Sequence, residues 1–122
     1  MRKILIADDD NLLTESLEIK FQDIFDVKVI HDGVGVVDFI IKENPCVVLL
    51  DIMLPGKNGI EILKELKEKK PEIIPNTIMM TSLEDNSFLA EALELGAKHY
   101  LQKGSSGPEH VADIVNQIAG CK

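Results

Sequence analysis

Asp8 and Asp9 close one short apolar run, Ile4-Leu5-Ile6-Ala7, and Asp51 closes another, Val47-Val48-Leu49-Leu50. Carboxylates gathered where buried strands stop repel one another unless a cation joins them, and the cation suited to such a set is a hard divalent ion. Two more groups follow later runs directly: Thr81 after Ile78-Met79-Met80, and Lys103 after His99 to Gln102. Acids able to hold a divalent cation, a central carboxylate, a hydroxyl and an ammonium suit phosphoryl transfer, where catalysis is mainly positioning and charge neutralisation. In that chemistry Asp51 is the nucleophile that takes a phosphoryl group as an acyl phosphate. Asp8 and Asp9 hold Mg2+. Lys103 supplies further positive charge, and Thr81 donates a hydrogen bond to a phosphoryl oxygen after moving toward it.

The elements that must bring these residues together are legible in the hydrophobic pattern. Short β-branched blocks alternate with longer amphipathic stretches along the whole chain, which means repeated βα units. The blocks Lys3 to Ala7, Val27 to Ile30, Cys46 to Leu50, Thr77 to Met80 and His99 to Gln102 read as five strands. Three of them are apolar on consecutive residues, as expected of parallel strands covered on both faces. The helical stretches run from Asn11 to Gln22, Gly33 to Lys42, Gly59 to Lys69, Ser87 to Leu95 and Pro108 to Ala119. Leu12, Leu13, Leu17 and Phe21 recur on one face of the first, and Asp10 or Asn11 can cap it. Gly96 reads as a left-handed helix stop, Pro71 as the end of the third helix and Pro108 as a first helical position.

Strict alternation gives an α/β, doubly wound, flavodoxin-like parallel sheet of five strands flanked by five helices, most commonly in the order 2-1-3-4-5. The first and third strands are then neighbours at ~4.8 Å. Ligands bind beyond their carboxyl ends, where the winding reverses, so Asp8, Asp9 and Asp51 face one crevice.

Composition narrows the class. A chain of 122 residues fits a single domain spanning 1–122 and can bury a proper core. Lys plus Arg number 13 against 21 Asp plus Glu, a formal charge of −8, which repels a phosphate backbone and argues against direct nucleic-acid binding. Cys46 and Cys121 lack spaced companions that would suggest zinc or a disulfide framework, so a reducing cytoplasm is the simplest location. The apolar stretch Ile4 to Ala7 is too short for a signal peptide, and no segment reads as a membrane span. His31, His99 and His110 lack ligand spacing, and no Gly-rich nucleotide loop is present.

The residues Ile4-Leu5-Ile6-Ala7-Asp8-Asp9-Asp10, Asp51-Ile52-Met53-Leu54-Pro55-Gly56, Gly59, Met80-Thr81-Ser82, Gly96-Ala97, Tyr100 and Lys103 resemble the receiver domain of two-component response regulators over essentially the full length. The resemblance implies that Asp51 is the phosphoacceptor and that Asp8, Asp9, Asp51 and the Met53 main-chain carbonyl ligate Mg2+. It implies a sensor histidine kinase or phosphotransfer protein as donor, and self-catalysed transfer and dephosphorylation rather than turnover of an outside substrate. It further implies a switch in which Thr81 moves inward, Tyr100 follows, and the surface of the fourth helix, fifth strand and fifth helix changes for a downstream protein target. Dimerisation on phosphorylation belongs to the same expectation.

One departure stands out. The family usually places proline after the lysine, often with a cis peptide, whereas this chain has Gly104 and then Ser105-Ser106-Gly107. The expected consequences are a looser loop, a less rigidly held Lys103 and a different neighbouring partner surface. Taken singly, each site residue has an ordinary alternative: Asp10 as a helix cap, Asp8-Asp9 as a solvated turn, Thr81 as a strand end, Lys103 as a surface lysine, Tyr100 as packing. Pro55-Gly56 and Asn58-Gly59 read as turn chemistry, and the charges of Lys64 to Lys70 as a solvated helix face. Two rivals accompany the switch: a degenerate receiver that binds proteins without phosphorylation, and a phosphatase resembling haloacid dehalogenases. The latter places its nucleophile in Asp-x-Asp at the first strand, and Asp8-Asp9-Asp10 lacks the following Gly-Thr context.

Overall fold

Five strands and five α-helices alternate in the computed structural model, which describes residues 2–82, 86–104 and 107–118. The strands are β1 (Lys3–Ala7), β2 (Asp26–Ile30), β3 (Val47–Asp51), β4 (Thr77–Thr81) and β5 (His99–Gln102). The helices are α1 (Asn11–Phe21), α2 (Val36–Glu43), α3 (Gly59–Lys69), α4 (Asn86–Glu94) and α5 (Pro108–Ile118). All strands are parallel, in the order β2-β1-β3-β4-β5 expected from the sequence.

Consecutive residues of the central strands point to opposite faces, and both faces are dry. Ile4, Ile6, Leu49 and Ile78 pack with Leu17 and Phe21 of α1 and with Val111 and Val115 of α5. Leu5, Val48, Leu50 and Met79 pack on the other side with Val37 and Ile40 of α2, Ile62, Leu63 and Leu66 of α3, and Ala92 of α4. Strands apolar on every residue have nowhere to sit except between two helical layers.

The register does the positioning. Ala7 lies opposite Leu50, so the next residues, Asp8 and Asp51, come level at the carboxyl edge. Asp51 lies opposite Met80, one step before Thr81, and Thr81 lies opposite Gln102, one step before Lys103.

Several boundaries differ from the sequence expectation. The stretch beginning at Gly33 opens as a 3-10 turn over Gly33–Gly35, and α2 starts only at Val36; two glycines in three residues weaken a regular first turn. Another 3-10 segment, Pro71–Asn76, leads into β4, its prolines allowing a tight turn but no α-helical ladder. Leu12 is 80% exposed while Leu17 and Phe21 are buried, so the inner face of α1 passes through Leu13 and excludes Leu12. Gly96 adopts φ +112 just beyond α4, as a left-handed stop requires. Cys46, beside β3, is disulfide-bonded, against the expectation, which rested on spacing alone, that no disulfide framework is present. The other cysteine, Cys121, lies outside the described residues, as do Ser105, Ser106 and the expected helical end at Ala119.

Candidate functional site

At the carboxyl edge of β1 and β3 the acids meet. One oxygen each from Asp8, Asp9 and Asp51 lies within 4.8 Å of the others. Asp8 is fully buried and Asp51 is 3% exposed, whereas Asp9 faces solvent. Asp10 accepts from the amides of Leu12 and Leu13 at 3.0 and 3.2 Å and so caps α1, while its own N–H donates to Asp8 Oδ1 at 2.8 Å. The cap thus anchors the turn that aims Asp8 inward, and Asp10 plays the ordinary part weighed for it.

Lys103 reaches this group from the end of β5. Its ammonium lies 2.9 Å from Asp8 Oδ2 and 3.3 Å from Asp51 Oδ2, and its amide donates to Thr81 O at 2.6 Å. Asp51 Oδ1 accepts the Met53 amide at 3.2 Å. Burial pushes the Asp51 carboxyl above its ordinary value, and the Asp8 charge adds to that rise; the Lys103 ammonium and the Met53 amide act against it. Burial alone would lower the Lys103 pKa, but its close contact with the Asp8 carboxylate and the charges of Asp51 and Asp8 outweigh it and hold the ammonium above its usual range.

The donor set fits a hard divalent cation. Three carboxylates converge on one volume, and Asp8 Oδ2 is buried with no hydrogen bond, its contact with Lys103 being an ion pair without hydrogen-bond geometry. A buried anionic oxygen left in that state is held ready for a cation. Asp8, Asp9 and Asp51 can supply carboxylate oxygens.

Asp8, Asp9, Asp51 and Lys103 are therefore brought together, and Thr81, buried at the end of β4, stands at the same edge. Met53 follows Asp51 with its side chain half exposed. Tyr100 is 53% exposed on β5 and does not enter the pocket. Gly104 takes φ +85, a conformation closed to proline, and none of the described peptide bonds is cis. The backbone at Gly104 consequently differs from one built on a cis proline.

Sequence reading missed the contacts beneath the acceptor. Gly59 opens α3 directly against β3: its amide donates to Ile52 O at 2.8 Å, and a Cβ there would lie 2.8 Å from Asp51 O. Asn58 and Glu61 form a reciprocal capping box, each side chain accepting from the other's amide at 2.9 and 3.1 Å. Asn58 followed three residues later by Glu61 carried that signal. Lys57 pairs with Glu65 of α3, and Glu65 pairs with Lys69 at 2.8 Å; no periodicity announces a loop lysine reaching a helix.

Comparison with known proteins agrees with this geometry. Residues 4–116 match the family model of the response regulator receiver domain. The receiver domain of the Francisella response regulator 1452 is 28% identical, with a TM-score of 0.83, covering 98% of this chain and 97% of that one. Full-length FixJ from B. japonicum is 27% identical with a TM-score of 0.83, the match covering 96% of this chain and 57% of FixJ. The NtrX receiver domain from Brucella abortus, at 20% identity and a TM-score of 0.84 over 98% and 99% of the two chains, shares the fold. With an acidic edge, a lysine between its carboxylates and a family match along nearly all of its length, the chain belongs to the receiver domains of two-component response regulators.

Proposed function

We propose that this chain, as one domain spanning residues 1–122, is a phosphorylation-dependent switch in which Asp51 accepts a phosphoryl group from a sensor histidine kinase or phosphotransfer protein. The observation that carries the proposal is the Lys103 ammonium seated between Asp8 and Asp51, at 2.9 and 3.3 Å, in a pocket where three carboxylates converge.

An ionised Asp51 oxygen attacks phosphorus; the bond from phosphorus to the donor imidazole breaks, and its electron pair leaves with the ring. Lys103 keeps Asp51 ionised against burial and the Asp8 charge. Asp8, Asp9, Asp51 and the Met53 carbonyl would hold Mg2+, which when bound would supply the positive charge that lets phosphoryl oxygens approach an acidic pocket. Once Asp51 is modified, about two negative charges and several acceptor oxygens stand at its tip. The Lys103 ammonium then pairs with the phosphoryl group, and the Thr81 hydroxyl donates to it. Tyr100 turns from its exposed position toward the space Thr81 leaves, altering the α4–β5–α5 surface offered to a downstream protein or to a second copy of the chain. A preference of a few kcal/mol for one arrangement suffices to invert the populations. The same groups hydrolyse the acyl phosphate, and no outside ester is turned over. No described helix is long and apolar enough to cross a membrane, in keeping with action in the cytoplasm.

Incubation with Mg2+ and acetyl phosphate, followed by intact mass measurement, tests this reading. The parent should gain one phosphoryl group and Asp51→Asn none. A parent that gains nothing would be a phosphorylation-independent binding module instead.

A further inference from the structure

Beside the acidic pocket, the loop that follows β2 locks onto the loop that follows β3. The Gly33 amide donates to Pro55 O at 2.8 Å. Gly33 is buried with its Cα against the Lys57 carbonyl, so closely that a methyl group there would overlap the oxygen. Asp32 completes the contact from its own side: its carboxylate accepts from the Val34 amide at 2.7 Å, and a Cβ on Gly56 would lie 2.7 Å from Asp32 Oδ1. The Lys57 ammonium of the same segment is tied to Glu65 of α3. Residues 55–57, the continuation of the chain that carries Met53, are therefore held both by the loop after β2 and by α3.

Gly33 is not among the described glycines with positive φ, so what the position demands is space rather than backbone freedom. Gly35, two residues on, meets nothing within 4 Å when a Cβ is added. The contrast separates a packed glycine from an indifferent one inside a single turn.

We infer that Gly33 is a positioning residue for magnesium: by letting the two loops clasp, it fixes the backbone from Ile52 to Lys57 and hence the placement of the Met53 carbonyl, two residues past Asp51. The inference rests on the aspartyl-phosphate reading and adds a residue outside the acid, hydroxyl and lysine set. Its effect passes through the Pro55–Lys57 segment, as supporting contacts act on a metal ligand from outside the ligand shell.

Gly33→Ala and Gly35→Ala should be compared by circular dichroism, by amide hydrogen exchange over residues 52–59 without magnesium, and by calorimetric titration with Mg2+. Gly33→Ala should fold, exchange faster at those amides, and bind Mg2+ ~10-fold or more weakly, with Gly35→Ala matching the parent in both. A folded Gly33→Ala with parental exchange and parental affinity would overturn the inference. If Gly33→Ala does not fold, Asp32→Ala, which loosens the clasp without adding atoms, should speed exchange over the same segment; unchanged exchange would overturn it equally. A parent that binds no Mg2+ would sink the aspartyl-phosphate reading, while the exchange arm would still decide whether the clasp holds the loop.

Discussion

Asp51 is placed where ionisation is opposed by burial and by Asp8, and is made tolerable by one ammonium. Its folded pKa lies above the ordinary 3.8. A raised carboxyl pKa means that its favourable contribution is fully present below the unfolded value and lost as pH rises through the folded one. At neutral pH without magnesium the ionised group therefore costs stability, and Asp51→Asn should melt higher than the parent, a gain that fades on acidification toward pH 3.8. Lys103, raised above 10.5, has the matching sign: its contribution is present below that value and lost as pH climbs through the folded one. Lys103→Met leaves the buried Asp8 without a cation and should lower stability by ~2 kcal/mol in magnesium-free buffer, less than for a wholly buried pair because the ammonium is partly solvated. Denaturant titration at pH 7 measures it, and Mg2+ should restore part of the loss. The five pocket residues were legible in the sequence because each closes or follows a strand and parallel strands end together. Gly33, Lys57 and Glu65 were not, because contacts between two loops, or between a loop and a helix, leave no period along the chain.

Among the elements, α3 shows how local signals serve the site. Its start is fixed by the capping box of Asn58 and Glu61, and the Gly59 amide ties that start to Ile52 O, so the cap sits directly beneath the acceptor strand. Asn58→Ala should cost ~1 kcal/mol, read as a lower melting temperature. The loop after β5 follows a different rule. Gly104 at φ +85 makes Gly104→Ala unfavourable by ~1 kcal/mol, and Gly104→Pro a worse change still. Gly104 itself takes a left-handed conformation, while Ser105 and Ser106, to which the expectation of a looser loop also applies, lie outside the described residues. Strand limits were legible to within a residue, since apolar runs and buried strands coincide. The 3-10 opening of α2 escaped because Gly33 and Gly35 were absorbed into the apolar period that follows, and Leu12 was misassigned because three leucine-rich positions satisfy a helical face about as well as two.

At the scale of the whole molecule, one sheet between two helical layers makes the edge of β1, β3, β4 and β5 a rigid platform. Leu49, fully buried in β3, should cost ~2–5 kcal/mol on replacement by alanine, with the acceptor pocket lost only when the fold is lost. Strand order and layering followed from the alternation of short and long apolar stretches, because a parallel sheet with right-handed crossovers admits few arrangements. The disulfide at Cys46 did not follow, since spacing along the chain carries no record of pairings made by the finished fold. The central claim is that Asp51 alone carries the phosphoryl group and that the acidic edge needs magnesium to deliver it. Borohydride reduction after acetyl phosphate treatment, followed by peptide mass mapping with and without EDTA, tests this most directly. The modification should fall on the peptide containing Asp51 and vanish with EDTA; modification of another carboxylate, or the same yield without magnesium, would contradict the account.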